Sequence, residues 1–496
     1  MESTLRHCPA IKENSMPSTN APAAGAERPL RRIRSLPGPF ALPFVGSALQ
    51  LTRQRVHQDF ERWCRRYGPL FRVVLGNVTM LVVADHASVG AILRDRPDGF
   101  RRPAVTDRIA REMGATGLFQ AEGAEWRNQR RMVMPGFAPA AIKAYFPSLV
   151  TVALRLRGRW RAAAEAGADI DLERDLKRYT VDIIAGLAFG TDVNTIESGE
   201  DVIQRHMDVI LPAVMRRSFA IIPYWRWFKL PCDRLLERSV AALNAAIAVL
   251  IGQARARMRA EPERRECPRN LLEAMLNAAD QPDSGVDDNT VVGNVSTMLL
   301  AGEDTTANTI AWMLYLMRRN PHTLRRAQEE VRRLAPDPAA FSIEQMDALD
   351  YLGACASEAM RLKPVAPYLP LEAVRDTVIG DVNVPAGSFI WCVMRHDSVA
   401  EEHFPNASAF EPERWLRGER APGKHISMPF GAGPRLCPGR YLALLEIKIA
   451  LAMTLASFEV EGVDTPDDKE ARELGGFVMA PIGLRLRLER ARTDAA

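Results

Sequence analysis

The chain has no Cys-x-x-Cys pair, no basic block interleaved with aromatic residues, and no apolar leader at its N-terminus. Each absence narrows the function. The seven cysteines, at 8, 64, 232, 267, 355, 392 and 437, are odd in number and widely scattered. This pattern argues against a disulfide framework or a zinc site, and for a reducing, cytoplasmic compartment. A formal net charge of +4 over 496 residues is too small to point to a nucleic-acid partner. The uncharged stretch 35–52 contains Pro37, Gly38, Pro39, Pro43 and Gly46, which exclude a spanning helix there, so no transmembrane anchor is expected. Residues 1–35, rich in Pro, Ala, Ser and Arg, are expected to form a disordered tail, and Glu2, Glu13 and Glu27 interrupt any transit-peptide pattern.

What is present is the balance of a globular protein with a large core: 47% hydrophobic and 25% charged residues. From about residue 125 to 335, apolar residues recur every three or four positions among Ala, Leu and Arg, which predicts helices. The longest should run from Asp288 to Asn320, where Pro321 stops it; at ~1.5 Å per residue it would span about 50 Å. Leu70–Ala84 holds two β-branched runs around Gly76-Asn77, a hairpin pattern. A second strand-rich patch covers about 365–395, punctuated by Gly380 and Pro385-Ala-Gly387. No internal repeat is evident. The fold class is mainly α with small β-sheets, read as one catalytic domain over 36–496 behind the tail.

Residues 430–439 read Phe-Gly-Ala-Gly-Pro-Arg-Leu-Cys-Pro-Gly and precede an apolar helical run, 441–450. Cys437 is therefore a thiol near a helix N-terminus, where the macrodipole and free N–H groups favour a thiolate. Gly431, Gly433 and Gly439 let the backbone approach whatever the sulfur binds. Such a sulfur suits a soft metal such as haem iron. A lone cysteine is more often a buried structural thiol. Five fixed positions in ten, just before a helix, favour the ligand.

The spacing F-x-x-G-x-R-x-C-x-G resembles the haem-binding loop of cytochrome P450 enzymes, with Phe430, Gly433, Arg435, Cys437 and Gly439 on its fixed positions. The resemblance extends over roughly 36–490 and begins at a proline-rich entry, Pro37-Gly-Pro39. It implies the P450 fold, with a long central helix over the haem and a β-rich N-terminal lobe. It also implies haem b as cofactor and Cys437 as the metal ligand.

Other segments carry the likeness. Ala301-Gly-Glu-Asp-Thr-Thr306 fits the family's acid–alcohol pattern, which gives Asp304 and Thr305 the task of delivering protons to dioxygen. Glycine and hydroxyls are poor choices in mid-helix, so a local break admitting water is expected here. Trp126 and Arg130, in a W-x-x-x-R pattern, would bind the haem propionates together with Arg435. Ala373 stands where the family often has another propionate-binding arginine, and whether Arg375 replaces it is left open. Glu358-Ala-Met-Arg361 and Phe410-Glu-Pro-Glu-Arg-Trp415 imply a buried triad of Glu358, Arg361 and Arg414 that holds the loop before Cys437.

The implied reaction places one atom of dioxygen in a hydrophobic substrate such as a terpenoid, fatty acid or polyketide. Electrons would come from a ferredoxin or flavodoxin-type donor with its reductase. Arg127, Arg131, Lys424 and Arg440 form a candidate docking cluster for it, or an ordinary solvated face. Expected pocket residues are Phe119, Phe219, Ile221, Ile222 and Val365. Tyr368, Leu369, Phe477, Val478 and Met479 complete the set. The cluster Tyr224–Phe228 reads as core or as a membrane-touching patch. A peroxygenase or isomerase on the same fold, and a non-catalytic haem carrier or gas sensor, are the alternatives.

Overall fold

The structure is a computed structural model and describes residues 29–491 except 53, 115, 199–201, 219, 221–222, 283, 417–422 and 424. Its organising element is the helix Asp288–Arg319. Asp287 caps it by accepting the Thr290 N–H at 2.8 Å. Asn320 leaves helical geometry (φ −122°, ψ 77°) immediately before Pro321, whose ring disfavours a helical predecessor. Ala307–Leu314 is buried without interruption, because the helices Leu172–Phe189, Asp350–Leu362 and Arg440–Ser457 pack around it.

The expected break near Gly302 is absent: the helix runs through. The Thr305 and Thr309 hydroxyls return to the carbonyls of Ala301 and Thr305 at 2.7 and 2.8 Å, bonds that a straight helix accommodates. Gly302 serves packing instead, since a Cβ there would sit 2.5 Å from Ile184 Cδ1.

The hairpin forms in the expected register, Leu70 opposite Val83 and Leu75 opposite Val78, with Gly76 turning at φ +58°. It joins a five-stranded sheet ordered Leu70–Leu75, Val78–Val83, Phe389–Val393, Tyr368–Ala373, Phe100–Arg101. The lobe is thus built from two distant parts of the chain. A second sheet is not anticipated by the sequence reading: Phe458–Asp464, Arg485–Arg490 and Ile170–Asp171. Leu486 and Leu488 are buried between exposed charged neighbours, the period of two that a half-buried strand needs.

The tail boundary moves. Residues 1–28 lie outside the described residues, but Arg31–Arg32 forms a strand parallel to Val382–Val384. The Arg31 guanidinium donates to both Asp381 oxygens at 2.6 and 2.7 Å. Residues 31–35, expected as tail, are therefore part of the folded body. Among the described residues, one helix, Pro231–Ala260, is by itself long and apolar enough to cross a membrane. It buries a stripe at Leu236, Leu243, Ile247, Ile251 and Met258, and its Asp233 pairs with Arg217 at 3.0 Å.

Between Val393 and Arg440 the described chain forms only short 3-10 turns, so side chains must fix its path. Glu358, fully buried, does most of this. Its two oxygens accept Arg361 Nη2 and Nε at 2.7 and 2.8 Å, Trp415 Nε1 at 2.8 Å, the Glu411 N–H at 3.0 Å and Arg414 Nε at 3.3 Å. Arg361 then donates to the carbonyls of Ser398, Ala407 and Ala409 at 2.6, 2.8 and 3.1 Å. The triad expected from the sequence is present and buried. Glu358→Gln removes the charge that two buried guanidinium groups face, and should lower the unfolding free energy by ~3–5 kcal/mol in a urea titration, with loss of haem from the purified protein. A loss below ~1 kcal/mol would show that the triad is not what fixes this segment.

Candidate active site

A cavity of about 360 Å³ opens between the long helix and the loop that carries Cys437. The loop is closed by the Cys437 N–H donating to the Phe430 carbonyl at 3.0 Å. Gly433 adopts φ +69°, and a Cβ there would meet Arg94 Cα at 2.6 Å and the Leu93 carbonyl at 2.7 Å. Only glycine fits both constraints. The following helix starts at Arg440, so Cys437 stands three residues ahead of its first turn. The expected preference for thiolate is not met by the protein alone. Burial pushes the Cys437 thiol up, and the Gly439 N–H, Arg130 and Arg440 oppose this without overcoming it.

Four arginines line the same cavity: Arg96, Arg102, Arg130 and Arg435. Arg435 donates to the Ala121 carbonyl at 2.6 and 2.8 Å, reaches Glu122 Oε1 at 2.6 Å, and stacks over Trp126 at 5.1 Å. Arg96 shares that same Glu122 oxygen at 3.4 Å. Arg102 lies 3.5 Å over the Phe119 ring. Burial first, then the charge of Arg435, pulls Arg96 down to about 10. Burial is also the main cause that lowers Arg102, Arg130 and Arg435. The Nε groups of Arg96 and Arg435 are buried with no hydrogen-bond partner. Four guanidinium groups line one cavity, only two of them reach the Glu122 carboxylate, and those two are incompletely bonded, which makes a receptor for further negative charge.

Of the residues singled out in the sequence, Trp126, Arg130, Thr305, Phe430, Arg435 and Cys437 all line this cavity. Asp304 does not. Its carboxylate turns to the helix Leu172–Phe189, where Lys177 Nζ lies 3.1 Å away and also contacts Glu173 at 3.1 Å. Burial opposes the Lys177 charge, but these two carboxylates outweigh it and raise its pKa. Arg375 is not a cavity residue: it is 60% exposed and bonds Asp95 at 2.9 and 3.0 Å, while Ala373 is buried in a strand.

Arg96 and Arg102 escaped the sequence reading. Their signal was the pair of Arg-Pro steps, Arg96-Pro97 and Arg102-Pro103, in the loop after the helix His86–Arg94. Glu446, on the helix after the cysteine, also lines the cavity; burial pushes its carboxyl up to about 8, against the Thr306 hydroxyl. It is thus a neutral acid at pH 7, able to donate a hydrogen bond.

The apolar wall includes the expected Phe119, Val365, Tyr368 and Leu369, with Met298 and Met394 in addition. Phe477 packs behind Phe119 at 5.9 Å between ring centres. Met479 is fully buried and bonds the Val365 carbonyl through its N–H, so it supports the wall from outside. Val478 is half-buried and does not line the cavity either. Phe219, Ile221 and Ile222 lie outside the described residues. The Tyr224–Phe228 cluster divides: Trp225 is buried and donates to Glu112 at 3.1 Å, while Trp227 and Phe228 are exposed.

Residues 36–488 match the family profile described as Cytochrome P450. The chain is 28% identical to Cytochrome P450 714D1 of Oryza sativa subsp. japonica, covering 88% of this chain and 78% of that one. It is 27% identical to the chloroplastic carotene epsilon-monooxygenase of Arabidopsis thaliana, over 86% of this chain and 80% of that protein. A bifunctional cytochrome P450/NADPH–P450 reductase of Bacillus cereus is 27% identical, with 87% of this chain matching 40% of that longer one. The crystal structure of the cytochrome P450DA heme domain superposes with a TM-score of 0.80 at 26% identity, covering 94% of this chain and 99% of that one. The chain belongs to the cytochrome P450 family, with the haem b cofactor and the monooxygenase chemistry of that family.

Proposed function

We propose that this monooxygenase hydroxylates or epoxidises a hydrophobic small molecule, with Cys437 as the protein ligand to the haem iron. The observation that carries the reading is convergence in one cavity: a thiol, an excess of guanidinium groups, a hydroxyl on the long helix, and an apolar wall. Haem b, when bound, supplies the activation of dioxygen and carries the electrons for it. The cavity fits that group on the chemistry of its donors. Arg96, Arg102, Arg130 and Arg435 would receive the two propionates, with the partnerless Nε groups of Arg96 and Arg435 as waiting donors. Trp126 and Phe430 would flank the ring.

Thr305 holds the proton-handling position on the cavity side. Its hydroxyl donates to the Ala301 carbonyl, which leaves the oxygen lone pairs free to accept from a water in the cavity. Asp304 sits one residue away, turned from the cavity toward Lys177 at 3.1 Å. The pair therefore works in series, Asp304 as the exchanging acid and Thr305 as the inner relay. The methionine-, leucine- and phenylalanine-rich wall admits an apolar substrate and excludes bulk water.

Electrons come from a separate ferredoxin or flavodoxin-type protein with its reductase. Arg127, Arg131 and Arg440 are exposed on elements that carry the cavity wall, and offer positive charge to an acidic donor; Lys424 lies outside the described residues. Six cysteines are free among the described residues, in keeping with a reducing cytoplasm. Residues 31–491 act as one catalytic unit.

Three experiments test the reading. The reduced protein with carbon monoxide should show the red-displaced Soret band of a thiolate-ligated haem, and Cys437→Ala should abolish it; an unaltered spectrum overturns the ligand assignment. Arg96→Gln with Arg102→Gln should weaken haem binding about ten- to a hundredfold, while Arg375→Gln leaves it unchanged. Thr305→Ala should lower product formed per dioxygen consumed by about tenfold or more, with release of hydrogen peroxide. Unchanged turnover driven by added peroxide would favour the peroxygenase or isomerase reading instead.

A further inference from the structure

Three of the chain's eight histidines gather around one carboxylate that the active-site cavity does not use. His86 opens the helix His86–Arg94, Asp397 opens a 3-10 turn after the strand Phe389–Val393, and His403 lies six residues further on. Asp397 Oδ2 accepts the His86 backbone N–H at 2.7 Å and lies 2.7 Å from His86 Nδ1. His403 Nε2 points at the same oxygen from 3.6 Å, too far for a hydrogen bond. The other oxygen, Oδ1, is held by His396 Nδ1 at 2.7 Å.

One oxygen is therefore faced by three nitrogens, and the third is left without a bond to it. The His86 and His403 rings meet edge to face at 4.8 Å, which brings both ring nitrogens to one side of the carboxylate. His86, Asp397 and His403 each offer one ligand atom, and the three atoms lie within 4.8 Å of one another. A tetrahedral metal with ligands at about 2.0–2.1 Å holds ligand atoms about 3.3 Å apart. The observed contacts of 2.7 and 3.6 Å to the shared oxygen bracket that separation. Small ring movements complete the geometry.

We propose that His86, Asp397 and His403 bind one first-row transition-metal dication of zinc type, with water in the fourth position. Two imidazoles and a carboxylate suit zinc, copper or nickel, and are a poor set for calcium or magnesium, which take oxygen ligands. His396 and the His86 backbone N–H supply the outer bonds that orient a ligating carboxylate. The two histidine side chains are 29% and 21% exposed, so an ion can enter and an open position faces solvent. The cysteine count spoke against a zinc site, but this ligand set uses no thiolate.

The location gives the ion a structural reach. It would fasten the first residue of the helix His86–Arg94 to the 397–403 turn, and the last residues of that helix, Leu93 and Arg94, bear on Gly433 of the cysteine loop. A bound ion would stiffen the support of that loop without touching the cavity.

The test uses the untagged holoenzyme, stripped of loosely held metal by chelator and dialysis, and titrated with zinc chloride in a calorimeter. Zinc and iron are counted separately by atomic emission after gel filtration. One zinc per chain is expected, with a rise in Tm on adding zinc. His86→Gln and His403→Gln should each weaken zinc binding at least tenfold and abolish the Tm rise, while His322→Gln, at an exposed histidine on another helix, should change neither. His403 makes no hydrogen bond to Asp397, so His403→Gln is the variant least exposed to misfolding. No saturable zinc uptake by the unaltered protein, or uptake by His86→Gln and His403→Gln equal to that of the unaltered protein, overturns the assignment.

Discussion

The position of Cys437 depends on one buried carboxylate. Glu358 gathers five N–H donors, two of them on Trp415 and the Glu411 backbone, and so anchors a segment without regular secondary structure to a helix. Burying a carboxylate with two guanidinium groups adds little net stability, because desolvation consumes much of the attraction. Its value is conformational. A chain held by short turns could follow many routes of similar energy, and the directional bonds of Arg361 to three carbonyls select one. The loop then meets Gly433 against Leu93 and Arg94, a backbone contact with no room for adjustment.

The cavity shows the opposite economy. Where Glu358 is over-supplied with partners, Arg96 and Arg435 are under-supplied. Buried donors without acceptors lower stability in the protein alone, and a ligand that satisfies them returns that energy as affinity. The proposed propionate contacts would therefore couple cofactor binding to fold stability through the same few guanidinium groups. Glu446 adds a neutral acid to a wall otherwise rich in cations.

Local signals were legible in the sequence and tertiary ones were not. The hairpin at Gly76-Asn77 and the ends of the long helix follow from turn residues, an Asp cap and a proline, all within a few positions. The cysteine loop is equally local. Arg96 and Arg102 belong to an aperiodic loop, and their meeting with Arg435 requires a fold that brings residues more than 300 positions apart together. The C-terminal sheet was hidden because an irregularity between Val460 and Gly462 interrupts its alternation. Asp304 and Thr305 share a motif but not a helix face, because successive side chains diverge by about 100°. Thr305 shares its face with Ala301, four residues back, and Asp304 must look elsewhere.

The cavity wall draws on Leu93, Trp126, Ile184, Met298, Val365 and Cys437, spread over most of the chain. During synthesis the N-terminal segments emerge first. The arginine cluster's first members and the long helix thus leave the ribosome well before the sulfur they will face. Cys437, the proposed iron ligand, is among the last wall residues to be made. On the proposed assignment, the site for the prosthetic group is completed late, in an order set by the chain.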